Sequence, residues 1–495
     1  MKKILAKIFA KYIRWKENKW INNPIRAQEK VFKTLIKDGL NTKYGKDHDF
    51  GSIRNYNDFK LRVPISDYEK IKPYINQVLK GKKNILWPGK PIYLAKTSGT
   101  TSGIKYIPIT KESMPNHIMS ARNAILNYID KTGNVDFIEG KQIFIQGSPI
   151  LENLNGIYLG RLSGIVAHHV PSYLLKSRMP TWKTNCIEDW ETKVDSIVLE
   201  TLNEKMTVIG GIPSWVQMYF EKIISKTGKK IDKVFPDFSL FIHGGVNFEP
   251  YKKMFDNLIG KKINSIELYP SSEGFFAYQD RLNEEGLLLL LNSGIFYEFV
   301  DSDKFFDSDP KRISLKDIKI GVNYVIILSS NAGLWSYNIG DTIRFISKNP
   351  YRIVVTGRIK HFISAFGEHV IGKEVETALM KVTELTKIEI REFTVAPQIN
   401  PASGLPYHEW FIDFKRSPRE LESFSIKLDN EMRNQNIYYE DLIKGNVLRP
   451  LVISVVEENG FEIYMKKIGK LGGQNKVPRL SNDRKIANNL KIKDG

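Results

Sequence analysis

Between about residues 140 and 300, apolar segments of strand length alternate with longer helix-like stretches, and this alternation constrains the fold more than any other feature. A strand followed by a crossover helix and a parallel neighbour belongs to an open sheet with helices packed on its faces, so the pattern predicts an α/β architecture. Residues 142–146, 206–209, 240–243 and 265–269 read as its strands, and each runs directly into a turn containing Gly, Pro or Ser. Ligands bind beyond the carboxyl ends of such strands, which makes these turns the expected place for chemistry.

The pattern changes twice more. Residues 286–356 consist of short strands separated by turns, the mark of an antiparallel β subdomain. After Arg358 the spacing predicts a helix over 373–382, strands over 389–396 and 408–414, and a long helix over 418–435. A hairpin of 451–457 with 461–466 is expected around Asn459-Gly460. The predicted organisation is a large N-terminal domain over 1–357, with the β subdomain near 286–356, followed by a smaller mobile α+β domain over 358–495. Two or three units also suit a chain of 495 residues, which is too long for one ordinary core.

With 42% hydrophobic and 26% charged residues, the chain is neither disordered, collagen-like nor a disulfide scaffold. The one cysteine, Cys186, forms no intramolecular disulfide, so a reducing cytoplasm is the simplest home. A net charge of +19 favours anionic partners: nucleotides, carboxylates, nucleic acid or an acidic membrane surface. No run approaches the roughly eighteen apolar residues of a spanning helix. At the N-terminus Lys7 and Lys11 interrupt what would be a signal-peptide core. There Ile4, Leu5, Ile8, Phe9, Tyr12 and Trp15 fall at helical spacing, which predicts an amphipathic helix docked on its own domain; membrane attachment is the second reading.

Three motifs carry chemistry. Thr97-Ser98-Gly99-Thr100-Thr101-Ser102-Gly103-Ile104-Lys105 packs hydroxyls and glycines into one bend ending in a cation, the set that a polyphosphate needs for amide donors, hydroxyl donors and neutralisation. Three residues separate Gly99 from Gly103, so it is not a Walker A loop; a flexible linker is the alternative. Glu267 to Glu273 (ELYPSSE) places a ring, two hydroxyls and a carboxylate at a strand end. Tyr269 could stack on adenine, Ser272 could reach a phosphate and Glu273 could hold Mg²⁺; alone, the segment reads as a strand followed by a helix cap. Asp341 follows the tight turn of Gly333 to Gly340 and could accept from ribose hydroxyls, although turn aspartates are ordinarily structural. Arg358 and the glycine-rich basic loop over 469–479 add cations.

In order and chemistry these pieces resemble the adenylate-forming superfamily of acyl-CoA ligases, peptide-synthetase adenylation domains and luciferase. Within it the chain is most similar to the auxin-responsive (Gretchen Hagen) family of acyl acid amido synthetases. The pointers are the early Thr-Ser-Gly loop, Tyr-Pro-Ser-Ser-Glu-Gly at 269–274, and Lys-Leu-Gly-Gly-Gln-Asn-Lys-Val-Pro-Arg at 470–479. The resemblance implies ATP and Mg²⁺ as cofactors, with Ser98, Gly99, Thr100, Thr101, Ser102, Gly103 and Lys105 on the phosphates. It places Gly244, Gly245, Val246 and Tyr269 around adenine, Ser272 near the α-phosphate, Glu273 on the metal, and Tyr337, Asp341 and Arg358 at the ribose. Asn338 and Ile339 replace the superfamily's usual Arg and Thr, so only Tyr337, Gly340 and Asp341 of that motif transfer. Lys476 matches the late catalytic lysine, with Lys470 as rival, and Lys360 stands at the hinge.

The implied reaction activates a carboxylic acid as its acyl-adenylate and passes the acyl group to an amino acid; coenzyme A is the alternative acceptor. Tyr158, His168, Trp215, Met218, Phe275 and Phe276 are candidate walls of the acid pocket or members of the core. A basic nucleic-acid-binding protein is the non-enzyme reading, against which stands the even spread of lysines along the chain. No Gly-x-Ser-x-Gly elbow supports a hydrolase, and His168-His169 lacks a second ligand cluster for a metal.

Overall fold

The computed structural model describes residues 2–98, 104–245, 248–359, 362–363, 370–399, 401–444, 448–472, 476–481 and 484–493. The chain divides into two compact units, Met1–Ile339 with Ile343–Val354, and Gly340–Thr342 with Val355–Gly495. In the first unit α1 (Lys2–Ile21) packs along α2 (Met114–Thr132). The expected helix is present and docked, but on the opposite side to the apolar stripe. Ala10, Ile13, Glu17 and Trp20 are buried, whereas Ile4, Leu5, Ile8, Phe9, Tyr12 and Trp15 face solvent. Polar anchors decide this: the Glu17 carboxylate accepts from Tyr278 Oη at 2.9 Å and from Asn123 Nδ2 at 3.0 Å, and Lys3 pairs with Asp136 at 2.7 Å.

A small sheet contains β1 (Tyr93–Ser98), antiparallel to β2 (Ile104–Ile109), while β3 (Lys141–Ile145) belongs to a larger one. β4 (Ile157–Gly160) pairs parallel with β1. In the large sheet β3 is followed in space by β5 (Met206–Gly211), β6 (Leu240–Gly244) and β7 (Asn264–Ser271), all parallel. The crossover helices are α3 (Pro213–Thr227) and α4 (Glu249–Ile259). This is the predicted βαβ region.

At Ser271 the chain turns back into β8 (Gly274–Tyr278), antiparallel to β7. The remaining strands are β9 (Leu287–Leu289), β10 (Ile295–Asp301), β11 (Asn323–Ser330), β12 (Tyr337–Lys348) and β13 (Tyr351–Arg358). Their spatial order, β10-β11-β12-β13-β9-β8-β7-β6-β5-β3, makes the antiparallel strands a continuation of the parallel sheet, with short strands Ile313–Ser314 and Arg178–Met179 at the edges. The β7–β8 reversal joins the two halves, so the antiparallel region has no separate sheet among the described residues. Just past β8, buried Asp280 accepts two bonds from Arg352 of β13, at 2.8 and 2.6 Å.

In the second unit β14 (Glu389–Gln398) and β15 (Tyr407–Arg416) are antiparallel, and β16 (Val452–Val455) lies parallel to β15. Helices α5 (Gly372–Thr386) and α6 (Leu421–Gln435) bury Val375, Leu379, Phe424 and Leu428 against Trp410 and Ile412. One prediction fails here. Residues 461–466 form part of a helix, α7 (Gly460–Lys467), instead of the second arm of a hairpin. Phe461 and Met465, one helical turn apart, are buried together with Gly460, and β16 takes β15 as its partner, so Asn459 at φ 58° opens a helix.

The Asp280–Arg352 pair gives a stability test. Removing one partner of a buried ion pair leaves an uncompensated charge, so Arg352→Met should destabilise the first unit by roughly 3–5 kcal/mol, while Asp280→Leu combined with Arg352→Met should recover much of the loss. Urea denaturation midpoints of the three proteins check this order.

Candidate active site

The carboxyl ends of the parallel strands finish together. Ile145 is opposite Gly211, Gly211 opposite His243, and Gly244 opposite Leu268, so the turns after β3, β5 and β6 and the end of β7 share one edge of the sheet. Gly244 is required by close approach, because a Cβ there would lie 2.4 Å from the Leu268 carbonyl oxygen. Gly245 has φ 85°, the left-handed region. His243 is buried between Phe241 and Phe248, with ring centroids 5.1 and 4.4 Å away. Burial pushes its imidazole down to about 3, so it is neutral at ordinary pH and serves as packing beneath the turn. Val246 lies outside the described residues.

Of the hydroxyl-rich bend, Gly99, Thr100, Thr101, Ser102 and Gly103 also lie outside the described residues. Its two ends are described: Ser98 closes β1 opposite Ile104, and the bend therefore connects two antiparallel strands. Lys105 is not in the turn itself, where the sequence reading put it, but in β2 opposite Thr97. Its ammonium is 5.6 Å from the Tyr68 ring centroid, and Tyr68 Oη accepts from the Tyr106 amide at 2.9 Å.

The Tyr269–Glu273 motif forms a hairpin instead of a strand followed by a helix cap. Ser271 pairs with Gly274, leaving Ser272 and Glu273 as the turn. Ser272 is buried, the Ser271 hydroxyl donates to the Glu273 carboxylate, and Tyr269 meets Phe276 edge-on at 5.0 Å. Among the described residues no group of three His, Cys, Asp or Glu side chains could hold a metal. A magnesium ion carried by a nucleotide asks less of the protein, one or two carboxylates beside phosphate oxygens and water, and Glu273 in its fixed turn fits that donor set.

Tyr337, at the start of β12, is buried, and the next residue's amide, that of Asn338, donates to the Ser66 carbonyl at 2.8 Å. In the second unit Gly340 has φ 86°, and its carbonyl accepts from the Ile359 amide at 2.6 Å. That pairing brings the two expected ribose residues together: Arg358 Nε donates to Asp341 Oδ1 at 2.6 Å. Lys476 joins them electrostatically. It reaches solvent, but crowding by surrounding protein outweighs that access: desolvation, then Arg358 and Arg479, hold its ammonium below the ordinary lysine range, at about 8, while Asp341 opposes them. Lys470 instead follows α7, its amide donating to the Met465 carbonyl at 2.8 Å. Lys360 lies outside the described residues.

Sequence reasoning missed the group that fastens the Lys476 segment. Arg479 pairs with Glu376 at 3.2 Å and with Glu392; its carbonyl accepts from the Val395 amide at 2.9 Å, and the Pro478 carbonyl accepts from Thr394 Oγ1 at 2.6 Å. Separations of 103 and 87 positions from Arg479 hid the two glutamates. Among the candidate pocket walls, Trp215, Phe275 and Phe276 are buried, Met218 is half-buried and Tyr158 is exposed. His168 bonds the Pro149 carbonyl at 2.8 Å, and His169 bonds Tyr93 Oη at 2.9 Å, so the adjacent histidines serve separate packing contacts.

Three family models match the chain in order: the GH3 family N-terminal domain at residues 16–144, the central domain at 288–358 and the C-terminal domain at 373–485. Among named relatives, a jasmonoyl–L-amino acid synthetase of Nicotiana attenuata is 21% identical, the match covering 92% of this chain and 90% of that protein. An indole-3-acetic acid-amido synthetase of Arabidopsis thaliana is 22% identical, with 92% and 89% covered. Among solved structures, the GH3.15 acyl acid amido synthetase superposes with a TM-score of 0.81 at 15% identity, covering 99% of this chain and 97% of that one. A 2-hydroxyisobutyryl-CoA ligase in its postadenylation state gives 0.60 at 11% identity over 94% and 90%. The two structural likenesses speak for the fold, and with the three domain models in sequence order along it, the chain belongs to the GH3 family.

Proposed function

We infer that the protein is an adenylate-forming ligase that activates a carboxylic acid with ATP and joins the acyl group to the amine of an amino acid. The observation that carries this reading is family membership along nearly the whole chain, with relatives named for amide synthesis. The chemistry follows from the weakness of a carboxylate as an electrophile. One of its oxygens attacks the α-phosphorus of ATP, the bond to pyrophosphate breaks, and the acyl-adenylate forms. The amine then attacks the acyl carbon, AMP departs and a proton is lost from nitrogen.

The first step gathers negative charge, so neutralisation and in-line placement are the protein's main tasks. Lys105 and the bend from Ser98 to Gly103 receive the phosphates, with Ser272 beside the α-phosphate. The Gly244-Gly245-Val246 turn and Tyr269 flank adenine. Tyr337 and Asp341 take the ribose side, and Arg358 holds the Asp341 carboxylate in place. A magnesium ion on Glu273 would screen the phosphate charges. Lys476, as an ammonium, neutralises charge as the adenylate forms, and Arg479 positions its segment.

Lys105→Ala should lower carboxylate-dependent ATP–pyrophosphate exchange by about 10²–10³, the usual loss for one preorganised charge-stabilising group. Unchanged exchange would remove Lys105 from the site. Because the Lys476 ammonium is held near 8, it carries charge below that pH and loses it above. Adenylation measured in single turnovers should fall as pH rises through that value, and Lys476→Met should lower the plateau and abolish the alkaline limb. Arg479→Met should weaken the Lys476-dependent limb without removing ATP binding.

Pyrophosphate release over a matrix of acids against amino acids and coenzyme A, beginning with jasmonic and indole-3-acetic acids, tests the overall reaction. Turnover with coenzyme A alone would replace the amide reading.

A further inference from the structure

We propose that α1 docks this protein on the surface of an anionic phospholipid bilayer. Ile4, Leu5, Ile8, Phe9, Tyr12 and Trp15 recur on one side of the helix and are between 41% and 65% exposed. Phe9 stacks on Tyr12 and Tyr12 on Trp15, with centroids 6.4 and 6.1 Å apart, which extends the stripe as a continuous aromatic ridge. Twenty helical residues make it about 30 Å long.

The helix does not roll this stripe inward, because its opposite side is fastened. Glu17 is buried with its bonds to Tyr278 and Asn123, and Lys3 reaches both Asp136 and Glu139, at 2.7 and 3.0 Å. A roll would carry the Glu17 carboxylate away from these donors, leave the fully buried Tyr278 hydroxyl without its acceptor and turn Trp20 and Ile13 out to water.

Charge selects the occupant. Lys2, Lys7, Lys11, Lys16 and Lys19 are exposed on the same helix, and the Lys19 ammonium lies 3.7 Å from the Trp15 ring centroid. Glu17, the one acidic residue of the helix, is on the docked side. A second copy laid stripe to stripe would press two cationic rims together. An anionic bilayer instead takes lysines against its phosphates and apolar side chains at the headgroup boundary, where Trp and Tyr favour the interface. The net charge of +19 adds long-range attraction of the same sign. The proposal concerns where the protein sits and is independent of the reaction it performs.

Co-sedimentation of the full chain with large unilamellar vesicles tests it. The wild type should pellet with equimolar phosphatidylcholine and phosphatidylserine, remain in solution with phosphatidylcholine alone, and be released by high salt. Ile8→Glu with Trp15→Glu, both at exposed positions, should reduce the bound fraction about tenfold or more with thermal unfolding unchanged. Lys7→Glu with Lys11→Glu and Lys16→Glu should do the same through charge alone. Three results would overturn the proposal: no pelleting with either vesicle, equal pelleting of wild type and both variants, or a wild-type dimer that Ile8→Glu dissociates and that ignores vesicles.

Discussion

The common finish of β3, β5, β6 and β7 is the constraint from which the first unit's candidate site follows. Parallel strands whose carboxyl ends coincide deliver their connecting turns to one edge, and a one-residue slip in any strand would displace its turn from that edge and exchange the side chains on its two faces. Gly244 shows how tight this register is, since the neighbouring Leu268 carbonyl occupies the space where a side chain would begin. The β7–β8 reversal uses the same edge. It sets Ser272 and Glu273 in a turn while carrying the chain from the parallel half of the sheet into the antiparallel half.

Ion pairs hold what hydrophobic packing alone would leave loosely placed. Asp280 and Arg352 tie the segment after β8 to β13, and buried Glu298 accepts from Tyr56 and Ser336 while facing Arg312 at 3.3 Å. Such buried pairs contribute directional placement more surely than stability. In the second unit Arg479 performs the comparable task for the loop bearing Lys476, and the Asp341–Arg358 bond does so for the two residues assigned to the ribose. Magnitudes separate these roles. Arg358 is more than half exposed, so its bond to Asp341 orients a carboxylate and adds little to stability.

Polar anchoring also explains the N-terminal helix. Hydrophobic spacing alone predicts that the longest apolar stripe is buried, yet two hydrogen bonds to the Glu17 carboxylate and the burial of Ala10, Ile13 and Trp20 fix the other side, and the exposed Lys3–Asp136 pair adds little. Burial lifts the Glu17 carboxyl above its usual range, and the Tyr278 and Asn123 donors oppose that shift. The position of the helix thus rests on partners at residues 123 and 278, neither of which helical periodicity near the N-terminus reveals.

Local order was legible wherever neighbours in sequence are also neighbours in structure. The strand–turn edges of the α/β region, α5, the β14–β15 pair and the order of the motifs all follow from periodicity and turn chemistry within short windows. The segment after Asn459 departs from its expected hairpin because an Asn-Gly step suits either a tight turn or the opening of a helix, and the parallel pairing of β16 with β15 decides between them. Likewise, residues 269–274 contain both a plausible helix cap and a plausible hairpin, and only the partner strand distinguishes them. The residue types at the strand ends, and their order, are readable from the chain alone. The tertiary structure decided which distant charges meet, which face of α1 stays wet, and that Asp341, Arg358 and Lys476 share one neighbourhood, because those outcomes depend on contacts between positions far apart along the chain, where no short periodicity carries a signal.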